Sequence, residues 1–382
     1  MRSLTVAALV LLALPLPVLG DETRIDVGDP PRTYLHFLNA REAAMCRASA
    51  ATGDIEAYFL NPACASGKEA VVGTATLRFG GASRDYLSAD GVGLDSSDGY
   101  FLFSQFAAVK RSDTWAFGFG YSSPSYRSLE ITGRRDSGSG AAPYEGEFTG
   151  GLRFFEVLLA TRMGEDGRAG VGVAGGIVST SESTREVLGQ SLDSGEVSGS
   201  AASIAGGVVY EVTDRVRVGA GYRWGSTIDV SGDWYREEVN GTSKTQPTAV
   251  AGLTVQAASF LTVHASYLYE GWDSTESTLA DYPDSLFPTE VSEIGEAIGT
   301  AALGLEGTLL EGNLVLRAGA SAEVASDMTE GAVPEYAVGV GASYAFGSYA
   351  AEAAWAREQF AVDGESGEIV TNDGYLTVAY RF

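Results

Sequence analysis

The connections between strand-like runs alternate between short and long along most of this chain. Fourteen such runs lie between Val71 and Phe382. Six connections are turn-like, including "RSD" at Arg111 and "TDR" at Thr213, and seven are long and polar, including the one from Gly271 to Glu296. A soluble sandwich has no reason to sort its loops by length, whereas transmembrane barrels have short turns on one side and long loops on the other. The pattern therefore predicts an all-β fold, a transmembrane antiparallel β-barrel of about 14 strands.

The runs also have the period of two that a strand with two different surroundings requires. In the run 215–224, Val218 and Tyr222 fall on one face, whereas Arg217 and Arg223 fall on the other. The run 261–269 separates apolar and aromatic residues from polar ones such as His264 in the same way. An apolar face with aromatic residues at its ends suits lipid, and a polar face suits a lumen. Only a closed sheet leaves no unpaired backbone groups in hydrocarbon.

The last ten residues, "DGYLTVAYRF", place Leu376, Val378, Tyr380 and Phe382 on one face. A terminal aromatic residue after alternating apolar residues resembles the C-terminal signal of outer-membrane barrel proteins, which the barrel assembly machinery recognises. The alternative is a soluble edge strand that ends on Phe by chance. The loop alternation favours the barrel, so the assembly machinery and membrane lipids are expected partners.

The first twenty residues read "MRSLTVAALVLLALPLPVLG" and predict a secretory signal peptide that is removed after about Gly20. The alternative is a membrane anchor, but the apolar stretch from Val6 to Leu14 is shorter than the roughly 20 residues that a spanning helix needs. Export and a barrel together predict the bacterial outer membrane as the location.

Charge and composition exclude several functions. The net charge is -25 at pH 7, and a nucleic-acid partner needs a basic face that is not visible here. No enzyme motif stands out: His264 and Ser266 share a strand face, but no carboxylate lies at a readable spacing, so we assign no catalytic residue. Metal ligands at the usual spacing are also missing, and we expect no metal and no cofactor.

Residues 21–69 do not alternate. Their sequence "NAREAAMCRASAATGDIEAYFLNPACAS" is rich in Ala and poor in β-branched residues, so its first part predicts a short helix. A barrel of roughly 14 strands encloses a lumen too wide for wall side chains alone to fill. The segment is therefore either a disordered periplasmic tail or a plug inside the barrel.

This segment resembles the N-terminal region of the FadL-type family of outer-membrane long-chain fatty acid and hydrocarbon transporters. The family pattern is an "AR-A-x-GMGGA" run, a stretch of small and acidic residues, and an aromatic residue followed by "NPAG". This chain has "AREAAMCRA", "ATGDIEA" and "YFLNPAC". The resemblance implies a hatch in the lumen in which Asn61, Pro62 and Ala63 are buried. The chain then divides into a signal peptide (1–20), a periplasmic segment with the hatch (21–69) and the barrel (70–382).

Two family glycines are replaced by Cys46 and Cys64, and the glycine after the first of them by Arg47. A Cys46–Cys64 disulfide within the hatch would close a loop of about 19 residues and stabilise the fold by roughly 3 kcal/mol. The alternative is two unrelated small buried residues.

The resemblance implies passive uptake of a hydrophobic small molecule, such as a long-chain fatty acid, by a monomer. The strand pleat points Arg217, Arg223, His264, Arg317 and Arg381 into the lumen. The arginines would there meet a carboxylate headgroup or, alternatively, pair with acidic side chains of the wall.

In the family the ligand leaves sideways through a gap at the third strand. Pro124 lies after Tyr121 and removes a ladder hydrogen bond, so it is the candidate for that gap. The alternative function is an outer-membrane anchor or shuttle for secreted protein partners, without small-molecule transport.

Overall fold

The computed structural model describes twelve stretches of the chain, and the predicted signal peptide and Phe382 lie outside them. The described residues are 24–26, 37–67, 71–87, 93–112, 114–136, 141–164, 167–188, 191–234, 237–271, 297–326, 336–361 and 368–381. Within these ranges, no helix is both long enough and apolar enough to cross a membrane.

Strands make up most of the described regular structure. They are β1 (Arg24–Asp26), β2 (Val71–Leu87), β3 (Gly93–Arg111), β4 (Trp115–Asp136), β5 (Ala141–Met163), β6 (Ala169–Leu188), β7 (Ser191–Thr213), β8 (Val216–Arg223), β9 (Thr227–Trp234), β10 (Glu237–Lys244), β11 (Thr248–Ala258), β12 (Leu261–Glu270), β13 (Ile298–Leu309), β14 (Leu314–Ser326), β15 (Tyr336–Phe346), β16 (Tyr349–Ala361) and β17 (Glu368–Arg381). The described residues also include helix α1 (Ala40–Ala44) and 3-10 helices at Ile55–Ala57, Pro62–Ser66 and Leu310–Gly312.

Antiparallel pairing closes the sheet into a ring, because β17 pairs with β2. Of the 17 strands, β1 pairs in parallel with the end of β2 and is not part of the ring. Both β8 and β9 pair with β7, so they are two halves of one barrel strand. On the next strand, β10 pairs with β9 and β11 pairs with β8, so β10 and β11 are also two halves of one barrel strand. Removing β1 and counting each of these two pairs once leaves 14 barrel strands, which confirms the predicted fold.

Five of the seven predicted long loops are wrong, because strands extend into them. The ladder between β4 and β5 reaches Asp136 and Ala141, although a loop was expected over residues 122–146. The segments 82–99, 181–196 and 231–246 are likewise largely strand. A hairpin with water on both faces needs no apolar alternation, so the sequence signal fades while the backbone pairing continues. Strands β16 and β17 extend into the segment 358–374 from its two ends, and the other two predicted loops lie largely outside the described residues.

The predicted division of each strand into two faces is confirmed. Tyr222 is 39 % exposed on the outside of the barrel, whereas the next residue, Arg223, is 5 % exposed. In β12, Tyr267 and Tyr269 face outward, and His264 is buried. The outer face is rich in large apolar side chains, as a surface in contact with lipid requires.

Residues 37–67, which we call the inner segment, run through the ring and lie against glycines of its wall. A Cβ atom at Gly172 would lie 2.5 Å from the backbone of Pro62, and one at Gly319 would lie 2.5 Å from the backbone of Met45. Gly170, Gly207 and Gly304 meet side chains of the inner segment, whereas Gly219, Gly221, Gly252 and Gly339 meet its backbone as Gly172 and Gly319 do. These glycines allow backbone to pack directly on backbone.

We expect the substitution Gly172→Ala to destabilise the folded barrel by about 1–3 kcal/mol, since the added methyl group overlaps the inner segment. The measurement is the urea concentration at which the heat-modifiable electrophoretic band is lost. Gly175→Ala is the control, because a Cβ atom there would lie 3.9 Å from the Ser203 carbonyl oxygen, an ordinary contact. Equal midpoints for the two variants would contradict the glycine-lined packing.

Candidate functional site

The ladder between β3 and β4 is interrupted. Pairing runs from Arg111 with Ala116 as far as Gln105 with Ser122, and it resumes only at Ser97 with Glu130. Between these points, residues 98–104 and 123–129 have no partners across this boundary. Residues 98–103 remain paired with β2, and residues 125–129 remain paired with β5. The interruption is therefore a local opening between two adjacent strands.

Pro124 lies in the unpaired part of β4. The register between β4 and β5 also shifts between Ser122 and Ser125, so Pro124 occupies a bulge on its other side. Proline has no N–H group to donate to a ladder, and bulges bend a strand and end its pairing. The structure thus places the candidate residue of the sequence analysis at an interrupted ladder.

The inner segment closes this opening from the lumen side. Tyr58, which is 0 % exposed, shares a hydrogen bond with the hydroxyl of Ser122. The Ser104 hydroxyl donates to the carbonyl oxygen of Leu38 at 2.7 Å. The Asn39 amide donates to Gln105 Oε1 at 2.9 Å and to the carbonyl oxygen of Glu56 at 2.9 Å. The contacts behind the opening are therefore made by hydroxyl, amide and carbonyl groups.

An aromatic groove of about 430 Å³ lies on the outer face of the same two strands and of β5. The rings of Phe103 and Tyr121 stack with their centroids 5.8 Å apart, and Tyr121 lies 4.9 Å from Phe155. Phe106 and Phe119 complete the groove, with centroids 5.4 Å apart. Phe103 belongs to the unpaired stretch of β3, so the groove adjoins the opening directly.

The Asn-Pro-Ala motif is buried where the inner segment meets strands β5 to β7. Asn61 caps the 3-10 helix Pro62–Ser66, because its Oδ1 accepts a hydrogen bond from the N–H of Ala63 at 3.1 Å. Its Nδ2 donates to the carbonyl oxygens of Ala50 at 2.8 Å and Val208 at 3.1 Å. Pro62 takes the first helical position, where a missing N–H group costs nothing. The Asn61 side chain thus joins two parts of the inner segment to strand β7.

The predicted lumen arginines point inward, and described carboxylates engage three of them. Arg223 donates to both oxygens of Glu156 and, at 3.1 Å, to the carbonyl oxygen of Phe59. Its guanidinium group lies 4.0 Å from the ring centroid of Phe59 and 4.8 Å from that of Phe154. Hydrogen bonds thus hold the Arg223 guanidinium group at its edge, and the two aromatic rings contact its faces.

Arg317 bonds Glu306 at 2.8 Å and Glu352 at 3.2 Å. Arg217 bonds Glu211 at 3.2 Å and the carbonyl oxygen of Thr52. Pairing with wall carboxylates, the alternative interpretation, therefore describes Arg217, Arg223 and Arg317, and the expected pairing with a ligand carboxylate is not supported for them. Glu211 and Glu306 reach Arg217 and Arg317 from the adjacent strands β7 and β13, whereas Glu156 reaches Arg223 from β5.

His264 is 2 % exposed and contacts Thr254 Oγ1 through Nδ1 at 3.0 Å. Ser266, its neighbour on the same face, donates to the carbonyl oxygen of Arg47 at 2.8 Å. These two residues of β12 thus serve the wall and the inner segment. Within the described residues, no group of three or more His, Cys, Asp and Glu side chains could hold a metal ion.

A second cavity, of about 180 Å³, lies between the inner segment and the short turns. Charged side chains dominate its lining: Arg111, Arg162, Arg168, Arg217, Arg381, Asp54, Glu56 and Glu211. Arg111 and Arg162 donate to the carbonyl oxygens of Ala65 and Ser66 at 2.7 Å and 2.8 Å. Burial, followed by the nearby Glu352 carboxylate, raises the pKa of Glu56 to about 8. The axial end of the lumen on this side is therefore polar and occupied by charges.

The two cysteines are free thiols, so the structure does not contain the predicted disulfide. Cys46 packs in a cluster with Phe37 and Tyr375, and Cys64 packs in another with Ala57 and Val209. Each thiol lies near a different carbonyl group, that of Ala43 at 3.8 Å or that of Ala50 at 3.7 Å. The thiols thus belong to separate packing clusters. Burial raises the pKa of both to about 12.

Sequence reasoning missed Tyr58, Ser104, Gln105 and Ser122, which meet at the opening. Nothing in their local sequence distinguishes a hydroxyl group at an interrupted ladder from one on an ordinary wall. The sequence does indicate the aromatic groove, because aromatic residues are concentrated in two adjacent runs, "YFLFSQF" and "TWAFGFGY". A high density of aromatic residues on one outer face could have identified the boundary between β3 and β4.

No protein-family model matches this chain, and no curated protein matches it in sequence. Solved structures do match its fold. A FadL homologue from Pseudomonas aeruginosa superposes with a TM-score of 0.64 at 14 % identity, over 90 % of this chain and 98 % of that chain. The toluene transporter TodX of Pseudomonas putida gives 0.63 at 15 % identity, over 91 % and 99 %. The toluene transporter TbuX of Ralstonia pickettii gives 0.61 at 16 % identity, over 91 % and 99 %. The resemblance to FadL-type proteins is thus confirmed for the fold.

We expect both thiols of the folded protein to resist a maleimide reagent at pH 7, because buried thiols with raised pKa values carry almost no thiolate. After denaturation without reductant, two maleimide groups should add per chain. The mass of the labelled protein gives the count. A denatured chain that takes up no maleimide would instead indicate the disulfide.

We expect Arg223→Ala to destabilise the barrel by about 3–5 kcal/mol, because it leaves the buried Glu156 carboxylate without its partner. Arg168→Ala is the matched control, since Arg168 pairs at 3.4 Å with Asp214, whose side chain is 95 % exposed. An exposed pair of this kind contributes about 0–1 kcal/mol. Urea unfolding of the two variants measures the difference, and similar losses would contradict the role of burial.

Proposed function

We propose that this chain is an outer-membrane channel for the passive uptake of hydrophobic small molecules. A ligand enters the lumen from the side of the long loops and leaves sideways between β3 and β4. One observation carries this proposal: the ladder opening, which has an aromatic groove on its outer face and the inner segment behind it. An opening in the wall, rather than at the end, delivers an apolar molecule directly into hydrocarbon.

The exterior of the barrel supports a membrane location. Large apolar side chains remain exposed along the strands, including Phe117 and Phe119 of β4 and Ile177 of β6. So much exposed apolar surface would be a liability in water, but it matches the lipid-facing band of a barrel. The toluene transporters TodX and TbuX, which share the fold, also support a hydrophobic cargo.

The charge distribution favours the lateral route over the axial one. An apolar ligand that continued toward the short turns would have to displace water from Arg111, Arg162, Arg381 and their neighbours around the charged cavity. Desolvation of charged groups without new partners is costly. At the opening the hydrogen bonds join hydroxyl, amide and carbonyl groups to one another. We infer that the lateral path has the smaller desolvation cost.

The inner segment then acts as the hatch. Opening the path requires the Tyr58–Ser122 and Leu38–Ser104 hydrogen bonds to separate. Asn61 stays bonded to the wall at β7, on the side where glycines hold the backbone of the inner segment. We therefore propose that the hatch moves where it covers the opening and stays fixed at the Asn-Pro-Ala motif.

We expect Pro124→Ala to lower the uptake of a radiolabelled aromatic hydrocarbon, naphthalene, several-fold in cells that depend on this chain. The alanine supplies an N–H group with which β4 can extend its ladder across the opening. Pro143→Ala is the matched control, because Pro143 lies in a continuous stretch of the β4–β5 ladder opposite Arg134.

Equal uptake by both variants would reject the lateral route. If cells with the unaltered chain took up no more naphthalene than cells without it, the transport function itself would fail. A secreted protein recovered in a stoichiometric complex with the unaltered chain would then favour the anchor or shuttle.

A further inference from the structure

A cluster of charges lies on the side of the inner segment that faces the long loops. Its centre is Arg47, whose side chain is 15 % exposed. The guanidinium group lies 3.9 Å from Glu270 Oε2 and 4.0 Å from Glu42 Oε1, and Glu358 also interacts with it electrostatically. Glu270 ends β12, which begins at a short turn, so the cluster lies toward the opposite end of the lumen. We call these four residues the Arg47 cluster.

The position of Arg47 is fixed by its backbone and by packing. Its φ of 67° lies in the left-handed region, which a residue other than glycine adopts at a cost. The hydroxyl of Ser266 donates to its carbonyl oxygen at 2.8 Å, and the guanidinium carbon lies 5.3 Å from the ring centroid of Phe37. The side chain is therefore held among the carboxylates and is not free to swing toward a ligand.

Carboxylates outnumber guanidinium groups in this cluster by three to one. Deeper in the lumen two guanidinium groups share three carboxylates, because Arg41 bonds both Asp54 and Glu306, and Arg317 bonds Glu306 as well as Glu352. Arg78, which is 1 % exposed, pairs with Asp373 at 2.5 Å. Each guanidinium group named here already faces at least one carboxylate.

An entering carboxylate would therefore find each guanidinium group named here already facing a carboxylate of the protein. Removing water from the ligand carboxylate would cost free energy, and contacts with these guanidinium groups would not compensate for that cost. An uncharged ligand does not meet this cost, and the hydroxyl and amide groups behind the ladder opening suit a neutral polar end. The aromatic groove beyond the opening suits an apolar body.

We propose that the channel takes uncharged hydrophobic molecules and discriminates against fatty-acid-type carboxylates, with the Arg47 cluster as the determinant of that selectivity. This inference rests on the proposed transport function and narrows its substrate class. It assigns Glu270 and Glu358 a specificity role: they occupy the guanidinium group of Arg47, which would otherwise attract an anion.

The test compares two probes of the same chain length, radiolabelled 1-decanol and decanoate, in equilibrium dialysis against the full-length protein in detergent at pH 7. At this pH decanoate is anionic. Empty micelles supply the background. We expect decanol to bind at least about tenfold more tightly than decanoate, a ratio that corresponds to about 1.4 kcal/mol.

The double variant Glu270→Gln/Glu358→Gln should bind decanoate several-fold more tightly and decanol unchanged, because it releases Arg47 from two carboxylates while keeping the side-chain size. Glu211→Gln is the matched control, since Glu211 pairs with Arg162 and Arg217 at the short-turn end of the lumen. Its decanoate affinity should not change. The heat-modifiable band verifies that each variant is folded.

The outcomes separate the two proposals. If decanoate binds the unaltered protein as tightly as decanol, the selectivity is wrong and the transport function stands. If the double variant keeps the original ratio of decanol affinity to decanoate affinity, the Arg47 cluster does not determine the selectivity. If neither probe binds above the micelle background, the proposed uptake of hydrophobic molecules fails.

Discussion

The fold depends on one constraint: backbone N–H and C=O groups in hydrocarbon must be paired within the protein. A ring of 14 strands meets it because β17 pairs with β2 and leaves no edge. The opening between β3 and β4 departs from this rule over a short stretch. Hydroxyl groups at the opening bond carbonyl oxygens of the adjoining elements, since Ser104 contacts those of both Leu38 and Thr76, and Ser123 donates to that of Leu152.

A closed ring of this size has an interior that must also be filled. The inner segment fills part of it, and inward glycines let its backbone lie on the wall. Charges enclosed by this packing have to be paired, as they are in Arg223–Glu156 and Arg78–Asp373. Removal of one partner from such a pair leaves an uncompensated buried charge. Closure, filling and internal ion pairing are therefore linked consequences of the same pairing requirement.

The sequence predicted the features that a membrane imposes on every strand. Alternation in β8 and β12 identified the lumen residues Arg223 and His264, since lipid and lumen select different side chains at every second position. The long hairpins beyond the apolar band could not be predicted in the same way, because water surrounds both of their faces. The partners of Tyr58 could not be predicted either. Its contact with Ser122 spans 64 positions and depends on how the inner segment lies in the ring.

The separate environments of Cys46 and Cys64 show the same limit. Two cysteines in one short segment suggested a bond between them, but Cys46 packs beside Tyr375 of β17 and Cys64 beside Val209 of β7. At the junction of β17 and β2, by contrast, one contact joins the wall directly to the inner segment. Thr377 of β17 contacts Thr76 of β2 at 2.8 Å, and the same hydroxyl accepts a hydrogen bond from the N–H of Ala40 at 3.1 Å. The first and last strands thus meet over a residue of helix α1. The final strand consequently completes the polar contacts of Thr377 only with the inner segment in place.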